Sequence, residues 1–116
     1  MAAVGLARRQ VVLLPFPFSD LSTTKLRPAL VLADAGRDDW VMCQVTSQPF
    51  ADTNAVMLRD ADFDTGGLRL TSYARPAKLF TANASLVRSV AGVLNDAAHA
   101  RVCETLIRLI RSHAPG

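Results

Sequence analysis

Hydrophobic and polar positions divide the chain into a series of short strands followed by one helix. Residues 10–14 and 28–33 are compact aliphatic, β-branched runs bounded by proline, the pattern of buried strands. Residues 40–48, WVMCQVTSQ, alternate: Val41, Cys43 and Val45 share one face, while the other turns polar toward Gln44 and Thr46. A turn is expected at 34–39 and another at 49–53, with a fourth strand over 54–58. The acidic stretch DADFDTGG at 60–67 reads as an exposed loop. Residues 68–79 read as a strand, broken or bulged at Pro76, because proline gives a sheet no donor. A turn with one helical turn is expected over 81–85, and a last strand over 86–94 with Gly92 inside it. From Asn95, a good N-cap followed by Asp96, the period lengthens to that of a helix. Val102, Leu106, Leu109 and Ile110 recur on one side, with Arg101, Arg108 and Arg111 opposite. Strands followed by a single helix predict an α+β domain, mainly β, built on a small and strongly curved antiparallel sheet.

The 13 residues between the first two strands are long for a connection, and loops of that length are functional or disordered. Phe16, Phe18 and Leu21 argue against disorder, since they gain by packing. The loop ends in Lys25, Leu26, Arg27 and Pro28, which places Arg27 where a polar loop becomes a buried strand.

Composition narrows the class. At 116 residues, half of them hydrophobic and a fifth charged, the chain is expected to be one globular domain with a frayed end over residues 1–8. A formal charge of +3 permits a nucleic-acid partner without arguing for one. Eleven of the thirteen basic residues are arginine, the better fork for phosphate or carboxylate. Cys43 and Cys103 stand sixty residues apart in apolar runs, outside any metal spacing, and are expected to be reduced. No apolar run has the length to span a bilayer, and residues 1–10 lack the order of a signal peptide, so a cytoplasmic protein is expected.

Each candidate for chemistry has a plain reading beside the functional one. Arg27 is a surface arginine at the foot of a strand or an anion clamp fixed by Pro28, and nothing in the residue itself decides. Thr46 and Ser47 are ordinary strand residues or paired hydroxyl donors for a phosphate oxygen. Of Phe16 and Phe18, one anchors the loop and the other is free to stack on a single-stranded base. Ser72, Tyr73, Arg75 and Lys78 form a polar and basic group that a solvated strand face explains. His99 and His113 fall on the terminal helix and read as surface or helix-end residues. There is no phosphate-cradling glycine loop, zinc spacing, acidic metal cluster or nucleophile elbow, so no metal or cofactor is expected.

The succession VVLLPFPFSDLSTTKLRPALVLAD, CQVTSQ and SYARPAKLF resembles the MazF/PemK toxins of type II toxin–antitoxin systems, over roughly residues 10–109. The Arg-Pro-x-Leu-Val-Leu strand after a loop, with Thr-Ser ending the next strand, carries most of that likeness. The resemblance implies a small SH3-like antiparallel β-barrel, of the kind MazF and CcdB share, with a C-terminal helix. It further implies a homodimer, a cognate antitoxin, and metal-independent, sequence-specific cleavage of single-stranded RNA (mRNA, tRNA or rRNA) to a 2′,3′-cyclic phosphate and a 5′-OH. By position Arg27 matches the family's catalytic arginine, Thr46 its catalytic threonine, and Arg75 a basic residue of the site. Lys25, Ser47, Ser72 and Lys78, with Phe16 and Phe18, would then bind substrate. Two departures stand out: Ser72 occupies a position where some relatives carry an acidic base, and Arg9-Gln10 replaces a Gly-Asp or Gly-Glu start. The nearby carboxylates are Asp20 and Asp34. A non-catalytic toxin of the same fold that acts by binding, as CcdB does on gyrase, or a module of that fold that only binds an antitoxin, is the alternative.

Overall fold

The computed structural model describes residues 5–15 and 25–112. Seven antiparallel strands form one sheet: β1 (Gln10–Pro15), β2 (Leu26–Gly36), β3 (Asp39–Thr46), β4 (Val56–Leu58), β5 (Phe63–Gly66), β6 (Ser72–Asn83) and β7 (Ser89–Leu94). Their order across the sheet is β4-β6-β3-β2-β1-β7-β5, so the long strands lie centrally and two short strands form the edges. The sheet curls into a half-barrel, and α1 (Asp96–Ile110) closes the chain order.

Strand β2 begins two residues earlier than its apolar run and ends three later. It is held on both sides, by β1 with Leu14 opposite Arg27 and by β3 with Ala29 opposite Gln44. Ala29, Leu30, Val31 and Leu32 are all buried, as a central strand covered on both faces requires. One core layer gathers Val11, Leu30, Cys43, Val45, Leu58, Ala74 and Leu94 beneath Ala98 and Val102 of α1. The other gathers Val12, Leu14, Ala29, Val31, Met42 and Phe80. Leu6 packs on this second layer, so the described part of the expected frayed end is held to the sheet.

Pro76 behaves as its missing donor demands. Pairing of β6 with β3 jumps from Leu79 opposite Cys43 to Arg75 opposite Gln44, leaving residues 76–78 as a bulge with Pro76 fully buried. The turn between β2 and β3 is a two-residue hairpin at Arg37 and Asp38, both with positive φ (54° and 64°), which matches the twist of the flanking strands. Asn95 caps α1 by accepting from the Ala98 N–H at 2.8 Å.

Three expectations are corrected. Residues 60–67 are not an open loop: a 3₁₀ turn at Asp60–Asp62 leads into β5, which pairs with β7. The two strands meet at Gly66 and Gly92, where a Cβ on either glycine would lie 2.2–2.7 Å from backbone atoms of the other strand. A near approach of two backbones is what those glycines permit, and no hydrophobic pattern signals it. Strand β6 also runs on to Asn83, through part of the expected turn at 81–85. Finally, His99 is only 3% exposed, lying under the sheet against the Val31 backbone rather than at the helix surface. Burial pushes its imidazole pKa down, against a hydrogen bond that the ring donates to the Val31 backbone carbonyl, which raises it. His113, Phe16, Phe18 and Asp20 lie outside the described residues.

Candidate functional site

Beside the ends of β2 and β3 lies an open cleft of about 750 Å³. Lys25, Arg27 and Pro28 line one wall, Gln44, Thr46 and Ser47 a second, and Leu68, Arg69, Leu70 and Ser72 a third. The register explains the grouping. Gln44 lies opposite both Ala29 and Arg75, and side chains two residues apart share a face, so Arg27, Gln44, Thr46 and Arg75 all project from one side of the sheet.

Within this group the side chains differ in freedom. Arg27 is exposed and has no hydrogen-bond or ion-pair partner among the described residues. With Lys25 and Arg69 it makes the cleft cationic, which suits a polyanionic strand. The Thr46 hydroxyl accepts the Gln48 N–H at 3.1 Å and points its own proton at the Gln48 carbonyl at 3.3 Å. The second contact is long for a hydroxyl donor, so that proton can turn to an anion without loss of a good bond. Ser72, by contrast, is buried, and its hydroxyl donates to the Leu70 carbonyl at 2.9 Å, shaping the third wall of the cleft.

Arg75 is tied down. Its Nε donates to Asp52 Oδ2 at 2.8 Å and its Nη1 to Gln44 Oε1 at 2.9 Å, with the two charged side chains 17% and 9% exposed. The Arg75 guanidinium, followed by the Asn54 N–H, holds the Asp52 carboxyl below the usual carboxylate range. Lys78 is exposed in the β6 bulge and adds to the positive field on Asp52; it does not line the cleft. The structure therefore brings Lys25, Arg27, Thr46, Ser47 and Ser72 together around one space and sets Arg75 behind it, reaching the wall through Gln44.

Gln44, Asp52 and Arg69 escaped the sequence reading. The alternation of β3 could have indicated Gln44, since it shares the polar face with Thr46. Asp52 had no such signal, because its partner is 23 residues away in sequence. Asp34 is excluded as a neighbour of Arg27: it sits at the far end of β2, where its side chain accepts from the Gly36 N–H at 2.7 Å. No Asp, Glu or His is among the described residues that line the cleft. Among the described residues there is also no group of three His, Cys, Asp or Glu placed to hold a metal, and no helix long and apolar enough to cross a membrane.

Comparison with known proteins bears on the family and the fold. Residues 7–110 match the pattern of a family described as PemK-like, MazF-like toxins of type II toxin–antitoxin systems. Search of curated protein sequences finds no match. Among solved structures, an endoribonuclease in complex with its cognate antitoxin from a mycobacterial species superimposes with a TM-score of 0.72 at 16% identity, covering 96% of this chain and 100% of that one. The Mycobacterium tuberculosis toxin MazF-mt6 gives 0.68 at 16% identity over 88% and 96% of the two chains. MazF from Deinococcus radiodurans gives 0.68 at 21% identity over 90% and 96%. At such identities the backbone likeness establishes a shared fold.

Proposed function

The chain belongs to the family of PemK-like, MazF-like toxins of type II toxin–antitoxin systems, and from that premise we propose that it is an endoribonuclease cutting single-stranded RNA at the Arg27–Thr46 cleft. One observation carries the reading: an arginine without a partner among the described residues and a weakly engaged threonine proton face the same cationic space. In the proposed reaction the 2′-oxygen attacks the adjacent phosphorus and the 5′-oxygen departs. The products are a 2′,3′-cyclic phosphate and a 5′-OH, with the 2′-OH proton passing to solvent water and another delivered from solvent to the leaving oxygen, since no Asp, Glu or His is among the described residues lining the cleft. Arg27 forks two donors onto the phosphate and offsets charge on the pentavalent phosphorus; a guanidinium keeps its protons, so it is a charge stabiliser and not a proton donor. Thr46 adds a further donor, and Lys25 and Arg69 hold the flanking phosphates. No step needs a metal, because guanidinium and hydroxyl supply the electrophilic assistance.

Loss of one such donor slows catalysis on the order of a hundred- to a thousandfold, so Arg27→Ala is expected to cleave a fluorogenic RNA at least that much more slowly, and Thr46→Val similarly. Equal rates for wild type and Arg27→Ala would remove the reading. A binding toxin acting on a protein target, in the manner of the gyrase-directed CcdB, is the second reading. It is favoured by the lack of a carboxylate or imidazole among the described residues lining the cleft. Growth arrest by Arg27→Ala equal to that by wild type would select it.

A cytoplasmic location and a cognate antitoxin complete the proposal, the latter on the strength of the mycobacterial complex. So does a homodimer: Ile107 and Ile110 of α1 stay 46% and 72% exposed after Val102 has been buried, leaving apolar surface for a second copy. A monomeric mass by light scattering would contradict that part.

A further inference from the structure

Directly after Ser47 at the rim of the cleft, the β3–β4 connection makes an unusual turn. Phe50 and Ala51 both hold positive φ, 54° and 66°, a left-handed conformation that costs non-glycine residues about 1–2 kcal/mol each. Among the described residues Phe50 is also the most exposed of the large hydrophobic side chains, at 75%. Strained backbone persists only where its surroundings over-determine it, and here they do. The Thr46 hydroxyl fixes the Gln48 N–H, and the Asp52 N–H donates to the Pro49 carbonyl at 3.0 Å, closing the turn. Asp52 also caps the Asn54 N–H and is clamped by Arg75, whose other nitrogen holds Gln44 on the cleft wall. A bare phenyl ring held out in water by a strained, stapled turn gains nothing for folding.

We propose that Phe50 is a stacking platform for a base of the RNA next to the scissile phosphate, and that the Gln44–Arg75–Asp52 chain positions it. This rests on the endoribonuclease reading above. Phe50 lies four positions after Thr46, a span of at most about 14 Å when fully extended and less across a turn, so a neighbouring nucleotide of the bound strand reaches both. Stacking tolerates any base but favours those with larger rings, so Phe50 contributes affinity and a purine bias at one flanking position. Arg75 becomes a positioning residue: its charge is already matched by Asp52, whereas Arg27 and Arg69 have no partner among the described residues.

The test compares wild type, Phe50→Ala, Phe50→Leu, Phe50→Trp and Asp52→Asn on a randomised RNA pool, then on the mapped site with and without a 2′-fluoro block at the cut. Stacking lost on truncation to alanine corresponds to about a five- to hundredfold change. Phe50→Ala and Phe50→Leu are expected to lose that much affinity for the blocked oligonucleotide, with KM raised, kcat nearly unchanged and the purine bias gone. Phe50→Trp keeps both, and Asp52→Asn weakens the bias while leaving the ring in place. Exposure of Phe50 means the three Phe50 substitutions leave the melting temperature near that of wild type, which circular dichroism verifies. Wild-type affinity and site choice in Phe50→Ala and Phe50→Leu would overturn the inference while the nuclease reading stood. The same result with lost affinity for a protein antitoxin would reassign the ring to protein docking. A wild type that neither binds nor cuts RNA would overturn both readings.

Discussion

Replacing Asp52 by asparagine removes one charge and almost no volume, so it isolates the Arg75–Asp52 pair. At 2.8 Å, with side-chain exposures of 17% and 9%, the pair is largely withdrawn from water without being sealed from it. A hydrogen bond to a charged group is worth about 1.5–3 kcal/mol and a neutral one about 1, so loss of charge assistance costs about 0.5–2 kcal/mol. The guanidinium left behind keeps Gln44 but no counter-charge, and its residual exposure brings the added cost well under the several kcal/mol of a sealed site. Together these give about 2 kcal/mol at pH 7, or a fall in melting temperature of roughly 8 °C for a chain of this size. The pH dependence follows from the depressed carboxyl. A native pKa below the unfolded value of about 3.9 means the stabilisation is complete above that pH and is lost as pH falls through the native pKa. Urea unfolding at pH 7 and again near pH 2.5 should therefore show wild type and Asp52→Asn well separated at the first pH and closer together at the second. A difference under about 0.5 kcal/mol at pH 7, within the range of ordinary surface substitutions, would refute the claim that this pair staples the turn.

Other consequences are equally checkable. His99 works in the opposite range: its lowered pKa means the unfolded chain binds the proton more readily, so stability is intact above about pH 6.5 and declines as the solution is acidified below it. His99→Leu should flatten the unfolding free energy between pH 7 and pH 5. Gly92→Ala would place a Cβ 2.7 Å from the Gly67 nitrogen and the Thr65 carbonyl, and should destabilise by about 2–3 kcal/mol, with faster amide exchange at Gly67 than in wild type. Burial pushes the Cys43 thiol up to about 12, so in the native protein at pH 8 it should resist iodoacetamide and react only after unfolding.

Strands β1, β2, β3 and β7 and helix α1 were legible because each carries its own period, and Pro76 announced the β6 bulge by lacking a donor. Strand β5 was hidden for a physical reason. It is short and acidic, and β7 holds it through a Gly66–Gly92 contact that leaves no apolar trace. The buried His99 was misread because imidazole fits a surface or a core, and only the Val31 backbone beneath it decides. In the site, Arg27 and Thr46 could be named in advance because each stands where a strand meets a loop. Arg75 could be placed near them, but its occupation by Asp52 depends on a loop whose partner is distant in sequence. The Phe50 turn was invisible for a related reason: nothing in Pro-Phe-Ala-Asp demands positive φ at two residues.

The central claim is that the cleft holding Arg27 and Thr46 cuts RNA without a metal. Purified protein incubated with a defined single-stranded RNA in EDTA, with product ends identified by mass spectrometry, addresses it directly. The account predicts fragments ending in a 2′,3′-cyclic phosphate and beginning with a 5′-OH, formed at least about a hundredfold more slowly by Arg27→Ala. Intact RNA, cleavage only after a divalent cation is restored, or equal cleavage by Arg27→Ala would contradict it.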